Sequence, residues 1–475
     1  MGCHVVTHVC CTFLQEVRTK SLTSVALIRR GYHYGQAAKN RSSDGTLSRQ
    51  QRRFRNKERR QAYTGTMVIP EIENLPLIDV HQEVRHTRDK YVSLWENTPA
   101  ALPHHLRVYQ REEQQENEAR LRKIAEERRA HAGGAHAPGD PRHLSGRTFR
   151  RLVKLSLACA PSDMKDFFAD HEAFVLLTEE FVRRARSFDP DIPEDSLLQA
   201  LRNIWVFSSL QRLAGKDLRL TPSAFAYSML YPYTDNVFDE SYLTVLEKNR
   251  FAERVGLRLK GITPQAAGIN EERVFALVGM IEDEFPREAF PLVHQSLEAI
   301  HRAQQQSTAQ QTRTTRQGKI ESDFMLPLTL EKGGTSVLAD AFLAGVVADD
   351  HWFEVSFSYG CLLQLIDDLQ DADVDLQGHS RTLFNITHSS HSLQALTMHL
   401  LGFIHSTIEG WSSICSPDQE RLKGFMRDSC QVLVLEAVAR RSARFSQAFL
   451  TQLERHAPTR LTFLASLREQ FPQAS

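Results

Sequence analysis

From about residue 148 to the C-terminus, apolar residues recur every three or four positions in long segments separated by short Pro, Gly and Asp punctuation. That period gathers apolar side chains on one face of an α-helix and does not fit the two-residue alternation of a half-buried strand. Helices are predicted over 167–188, 196–215, 225–250, 271–306, 335–347, 351–372, 390–409, 418–453 and 459–470. The third contains Pro232, which removes a helical hydrogen bond and should kink the chain. No alternating strand and no Asn-Gly or Asp-Gly hairpin separates apolar runs. The expected fold class is all-α, a single large helical bundle over 148–475.

The segments before 148 differ in charge and composition. The whole chain balances 58 Lys and Arg against 58 Asp and Glu. Residues 1–66 hold 13 basic and 3 acidic residues, leaving 45 against 55 in the rest. This basic stretch reads as a disordered extension or a misannotated start, with Met67 as the alternative; a transit peptide or a nucleic-acid arm remains open. Residues 67–147 read as a helical lead-in and flexible linker. Within them, 105–130 is charged and free of Pro and Gly, a solvated helical spacer held by i,i+4 pairs. Residues 130–147 combine two adjacent Gly with Pro and small residues, a linker composition. The neutral, 41% apolar chain as a whole argues against a nucleic-acid partner and against whole-chain disorder. No apolar run approaches the ~18 residues of a membrane span, so membrane contact is at most peripheral. Seven cysteines without CxxC spacing imply a reducing compartment and no structural zinc, hence a cytoplasmic protein. HExxH, GxSxG, P-loop and strand-borne GxGxxG motifs are missing.

Two acidic clusters stand out. In YPYTDNVFDE, Asp235 and Asp239 are i,i+4 neighbours on one helix face, with Asn236 and Glu240 beside them. Two bare carboxylates there repel by a few tenths of a kcal/mol, a cost that a cation between them removes. In HWFEVSFSYGCLLQLIDDLQDADVD, 351–375, a mostly apolar helix carries Asp367, Asp371 and Asp375 at i, i+4, i+8, with Asp368 alongside. Gln364 and Gly360 continue that stripe backward. Buried without partners, such a stripe is costly. A hydrated cavity with Mg²⁺, which takes oxygen ligands and phosphates, would account for it.

At these residues the chain resembles the class I isoprenoid synthase superfamily. GCLLQLIDDLQD, 360–371, is similar to the GxxxQxxDDxxD motif of chain-elongating prenyl synthases, and with Asp375 to the acidic helix of squalene and phytoene synthases. TDNVFD, 234–239, resembles the DxxxD motif of head-to-head synthases; it fits DDxxD only with Asn236 in the second place. The resemblance covers roughly 150–470 and implies the isoprenoid synthase bundle. It implies a Mg²⁺-dependent enzyme that ionises a prenyl diphosphate to a carbocation, as a terpene cyclase or head-to-head prenyl synthase. Chain elongation is the alternative, as is a non-catalytic helical binding or scaffold protein that retains the fold; a homodimer is compatible with either.

By the same resemblance, Asp235, Asp239, Asp367 and Asp371 are catalytic, and these four with Asp368 and Asp375 hold metal. Asn236, Gln364, Arg313, Arg316, Lys319, Lys332 and Arg381 would contact substrate. Lys332–Gly333–Gly334 reads as a Gly-rich helix entry able to bind phosphate. Arg444 stands near the place of the late Arg-Tyr pair of cyclases. Phe225, Tyr227, Phe238, Phe357 and Tyr359 are candidates to stabilise the cation.

Overall fold

A computed structural model describes residues 78–104, 106–132, 171–239, 243–312, 322–347, 349–377, 380–386, 390–411, 414 and 416–470. Among them there is no strand, so the chain is all-α as expected. The helices are α1 (Val80–Asn97), α2 (Arg111–Ala132), α3 (His171–Phe188), α4 (Glu194–Leu213), α5 (Pro222–Asp239), α6 (Val245–Leu259), α7 (Ile269–Glu284) and α8 (Pro291–Thr312). There follow α9 (Ser322–Leu343), α10 (Asp350–Gln370), the short α11 (Ala372–Gln377), α12 (Ser390–Glu409), α13 (Pro417–Arg440), α14 (Gln447–Glu454) and α15 (Leu461–Gln470).

Local chemistry sets boundaries that periodicity alone missed. The single helix expected over 225–250 is two, because Thr244 and Glu247 form a capping box that starts α6 anew. The one expected over 271–306 also divides. Pro286 forces Phe285 out of helical geometry (φ −121°, ψ 81°), and Pro291 opens α8. The segment 418–453 ends α13 at Arg440 and restarts α14 behind a Ser446 cap. By contrast, α5 runs through Pro232 and α9 through Pro327, where tertiary packing outweighs local breakers.

The lead-in set apart from 148–475 in the sequence packs into the same core. Val80, Val84, Tyr91 and Trp95 of α1 are buried, and Arg88 reaches Glu331 of α9 at 2.7 Å. Nor is α2 a solvated spacer. Gln114 Nε2 donates to the Glu454 and Ala457 carbonyls, Asn117 Nδ2 donates to that of Pro458, and buried Glu118 takes a fork from Arg460. A polar helix face can be buried when it satisfies the carbonyls of a chain turn. The linker proper, 133–147, lies outside the described residues.

Among the described residues, α9 and α10 meet in a close backbone contact. A Cβ on Gly360 would lie 2.1 Å from the Gly333 carbonyl oxygen, and one on Gly334 would lie 2.5 Å from the Phe357 ring. Glycines on both sides therefore let the two backbones touch. This overturns the Gly-rich helix-entry reading: Gly333 and Gly334 lie in mid-helix, and Lys332 with them. It also removes Phe357 from the cavity-facing candidates, since its ring is fully buried against Gly334. Ala is favoured over Gly in a helix by about 1 kcal/mol, yet Gly334→Ala is expected to destabilise by about 1–3 kcal/mol through overpacking. Gly268→Ala, at the N-cap of α7 with nothing within 4 Å of the added carbon, should cost less, at most about 1 kcal/mol. Urea unfolding of the two variants measures the contrast.

Candidate functional site

In the second acidic cluster, Asp367 and Asp368 have different surroundings. Gly360, Gln364 and Asp368 face α9. Gln364 Nε2 donates to Asp368 Oδ1 at 2.9 Å, and Thr329 Oγ1 of α9 donates to Asp368 Oδ2 at 3.2 Å. Burial pushes the Asp368 carboxyl up to about 6, against the pull of the Gln364 hydrogen bond and the nearby Lys332 charge. Asp368, expected as a metal ligand, and Gln364, expected at the substrate, therefore engage each other and α9. One residue is 100° of helix rotation, so Asp367 points elsewhere. It is partly exposed, and Arg202 of α4 approaches it to 4.0 Å. Arg202 was missed in the sequence, where QALRNIW offers no spacing signal that links it to a carboxylate.

The straight helix expected through Asp375 is interrupted. Asp371 is the C-cap of α10 (φ −97°, ψ 7°), and α11 starts after it. Two hydrogen bonds bridge the bend, Asp371 N to the Asp367 carbonyl and Asp375 N to the Asp371 carbonyl, both 2.8 Å. The i, i+4, i+8 backbone spacing of the three carboxylates thus survives. Asp371 is buried and Asp375 half-buried.

In the first cluster, Asp235 Oδ1 accepts a 2.9 Å hydrogen bond from Gln304 of α8. Asn236 is exposed, with its amide 3.4 Å from Ser196 Oγ. Asp239 closes α5, and its side chain lies outside the description, as does Glu240. Tyr227 donates to the Ser336 carbonyl at 2.8 Å, and the Tyr231 hydroxyl meets Ser336 Oγ. Burial raises both phenols far above their ordinary range and keeps them neutral. Phe225 belongs to a core cluster with Phe181 and Phe188, 5.5 and 6.2 Å between centroids, rather than to a cavity wall.

Contacts between helices fix where the two clusters stand. Asn203 of α4 bonds both Ser228 of α5 (3.1 Å) and Asp340 of α9 (2.9 Å). Farther along, Tyr231 of α5 meets Ser336 of α9, so these helices run antiparallel. One more turn brings Asp235 level with Lys332, the residue whose charge acts on Asp368. The acidic ends of α5 and α10 therefore lie at the same end of the bundle, flanking the turn of α9 that carries half-buried Lys332. Arg381 is half-buried after α11. Arg313, Arg316 and Lys319 lie outside the described residues. Among the described residues, no three His, Cys, Asp or Glu side chains gather as a ready metal cluster.

A pocket of about 70 Å³ opens beside Asp235, between α5, α6, α7 and α8. Leu230, Phe238, Val255, Leu259, Leu297 and Ile300 supply its apolar wall, and Tyr227, Tyr231 and Gln304 its polar lip. Among the described residues no helix is long and apolar enough to cross a membrane. No known protein family, curated protein or solved structure matches the chain.

Sequence reading also missed Asp340. It is fully buried, Oδ1 accepts from Asn203, and Oδ2 has no hydrogen-bond partner. Burial raises its carboxyl well above the ordinary value of 3.8, so the folded state binds that proton more tightly than the unfolded one. Its contribution to stability is therefore greatest below pH 3.8 and falls as pH rises toward the folded-state value. Asp340→Asn should match or exceed the wild-type thermal midpoint at pH 7.5, with the advantage shrinking toward pH 4; thermal unfolding across that range measures it.

Proposed function

We propose that the chain is a Mg²⁺-dependent enzyme of the class I isoprenoid synthase type that ionises a prenyl diphosphate, acting as a terpene cyclase or head-to-head prenyl synthase. The observation that carries this reading is the convergence of two acidic helix ends at one end of an all-α bundle, with Arg202 beside Asp367 and Lys332 beside Asp368.

The donor set suits the metal. Mg²⁺ commonly takes one or two carboxylates and completes its shell with water and substrate phosphate, so a preformed cage of three acids is not required. Asp235, Asp367 and Asp371 supply hard oxygen donors for it, with Asp239 and Asp375 next along the same rows. When bound, Mg²⁺ would neutralise charge building on the diphosphate leaving group. In this reading, the guanidinium of Arg202 and the ammonium of Lys332 bind diphosphate oxygens. The pair Gln364 and Thr329 holds Asp368 and keeps α10 aligned on α9. The neutral phenols of Tyr227 and Tyr231, aimed by Ser336, offer the pocket electron-rich rings rather than charge. The Leu, Val and Ile lining excludes water, which would quench a carbocation.

The pocket, about 70 Å³, is smaller than the roughly 300–1,000 Å³ of sites that enclose a ligand of this size. Turnover on this reading therefore requires α5–α8 to part around the prenyl chain. The small volume also favours a second reading, a helical binding protein without turnover.

One assay separates them: the full chain with Mg²⁺ and labelled C10, C15 and C20 prenyl diphosphates, singly and with isopentenyl diphosphate or NADPH. Hydrocarbon or alcohol from one substrate identifies a cyclase, doubled carbon number identifies head-to-head coupling, and a longer diphosphate identifies elongation. Asp371→Ala should lower diphosphate release by at least about 100-fold, the loss of a few kcal/mol of leaving-group stabilisation. Absence of release from every substrate would favour the binding protein.

A further inference from the structure

The break between α10 and α11 is spanned by one side chain. Arg441, at the C-cap of α13, is buried. Its Nη1 donates to the Leu369 carbonyl at 3.3 Å, two residues before Asp371. Its Nε and Nη2 grip both oxygens of Asp373, two residues after Asp371, at 3.0 and 2.9 Å. Nearby, Gln370 Nε2 donates to buried Glu436 of α13 at 3.2 Å. Backbone hydrogen bonds from Asp371 and Asp375 continue across the bend. Arg441 adds a donor to the Leu369 carbonyl and with the same planar group holds Asp373 on the far side of the bend.

We infer that Arg441 is a positioning residue: it sets the angle between α10 and α11, and so where Asp375 stands relative to Asp367 and Asp371. The catalytic consequence rests on the function proposed above; the mechanical role does not. The geometry demands arginine. A lysine ammonium is a single point charge on a flexible stem and cannot reproduce a fork to a carboxylate together with a bond to a carbonyl. Asp373 itself is about half exposed, with its side chain turned to Arg441. It therefore serves the clasp, whereas its neighbours in the row carry the metal in the proposed reaction.

The test uses the full chain as wild type, Arg441→Lys and Asp373→Asn, with two readouts. The first is hydrogen exchange of the 372–377 amides without ligand. The second is the Mg²⁺ dependence of diphosphate release. Both variants should speed exchange in that segment by about tenfold or more while exchange in α9 stays unchanged. The Mg²⁺ concentration for half-maximal release should rise by about 10–100-fold, the usual cost of removing support behind a metal ligand. The loss should appear there more than in turnover at saturating Mg²⁺. Unchanged exchange at 372–377 in both variants overturns the inference, as does faster exchange with no change in Mg²⁺ dependence. If Arg441→Lys fails to fold, Asp373→Asn decides alone, since it replaces a half-exposed side chain. If the wild type releases no diphosphate from any substrate, the proposed function fails, and the exchange readout still decides whether Arg441 holds the bend.

Discussion

The contact of α9 with α10 through Gly333, Gly334 and Gly360 governs the rest of the architecture. Because no side chain separates the backbones there, the register between the two helices has little freedom. A slide would drive Cβ atoms or the Phe357 ring into backbone. That register brings Thr329 to Asp368 and places Lys332 where its charge acts on the same carboxylate. Asp367, one residue from Asp368, is turned about 100° from it and is partly exposed.

Along α9, polar groups follow the same interior line. Thr329, Ser336 and Asp340 each contact a different helix: α10 through Asp368, α5 through Tyr231, and α4 through Asn203. Buried polar groups are costly unless satisfied, and nearly all of these are. Asp340 Oδ2 is the exception, and burial raises the pKa of its carboxyl well above the ordinary value. Such a line specifies how four helices meet more narrowly than an apolar core would. It also explains why two acidic segments some 130 residues apart finish at one end of the bundle.

Helix type and the acidic rows were legible because both are local. Period and spacing along one segment declare them, and α10 fell within a residue or two of its expected limits. What the sequence hid depends on distant partners. Gly333 and Gly334 read as a loop because nothing nearby in sequence announces Gly360. Arg202, Arg441 and Asp340 looked like ordinary helix residues because the groups they meet lie on other helices. The polar face of α2 read as solvated because its partners are carbonyls near residue 457. Pro327 lies inside α9 without ending it, a strong local signal overruled by packing.

The central claim is that the acidic ends of α5 and α10 serve one site. Calorimetric titration of the full chain with pyrophosphate, with and without Mg²⁺, tests it most directly. The account predicts binding that requires Mg²⁺ and weakens by about tenfold or more in both Asp235→Asn and Asp371→Asn. Pyrophosphate binding that ignores Mg²⁺, or that survives intact in either variant, would contradict it.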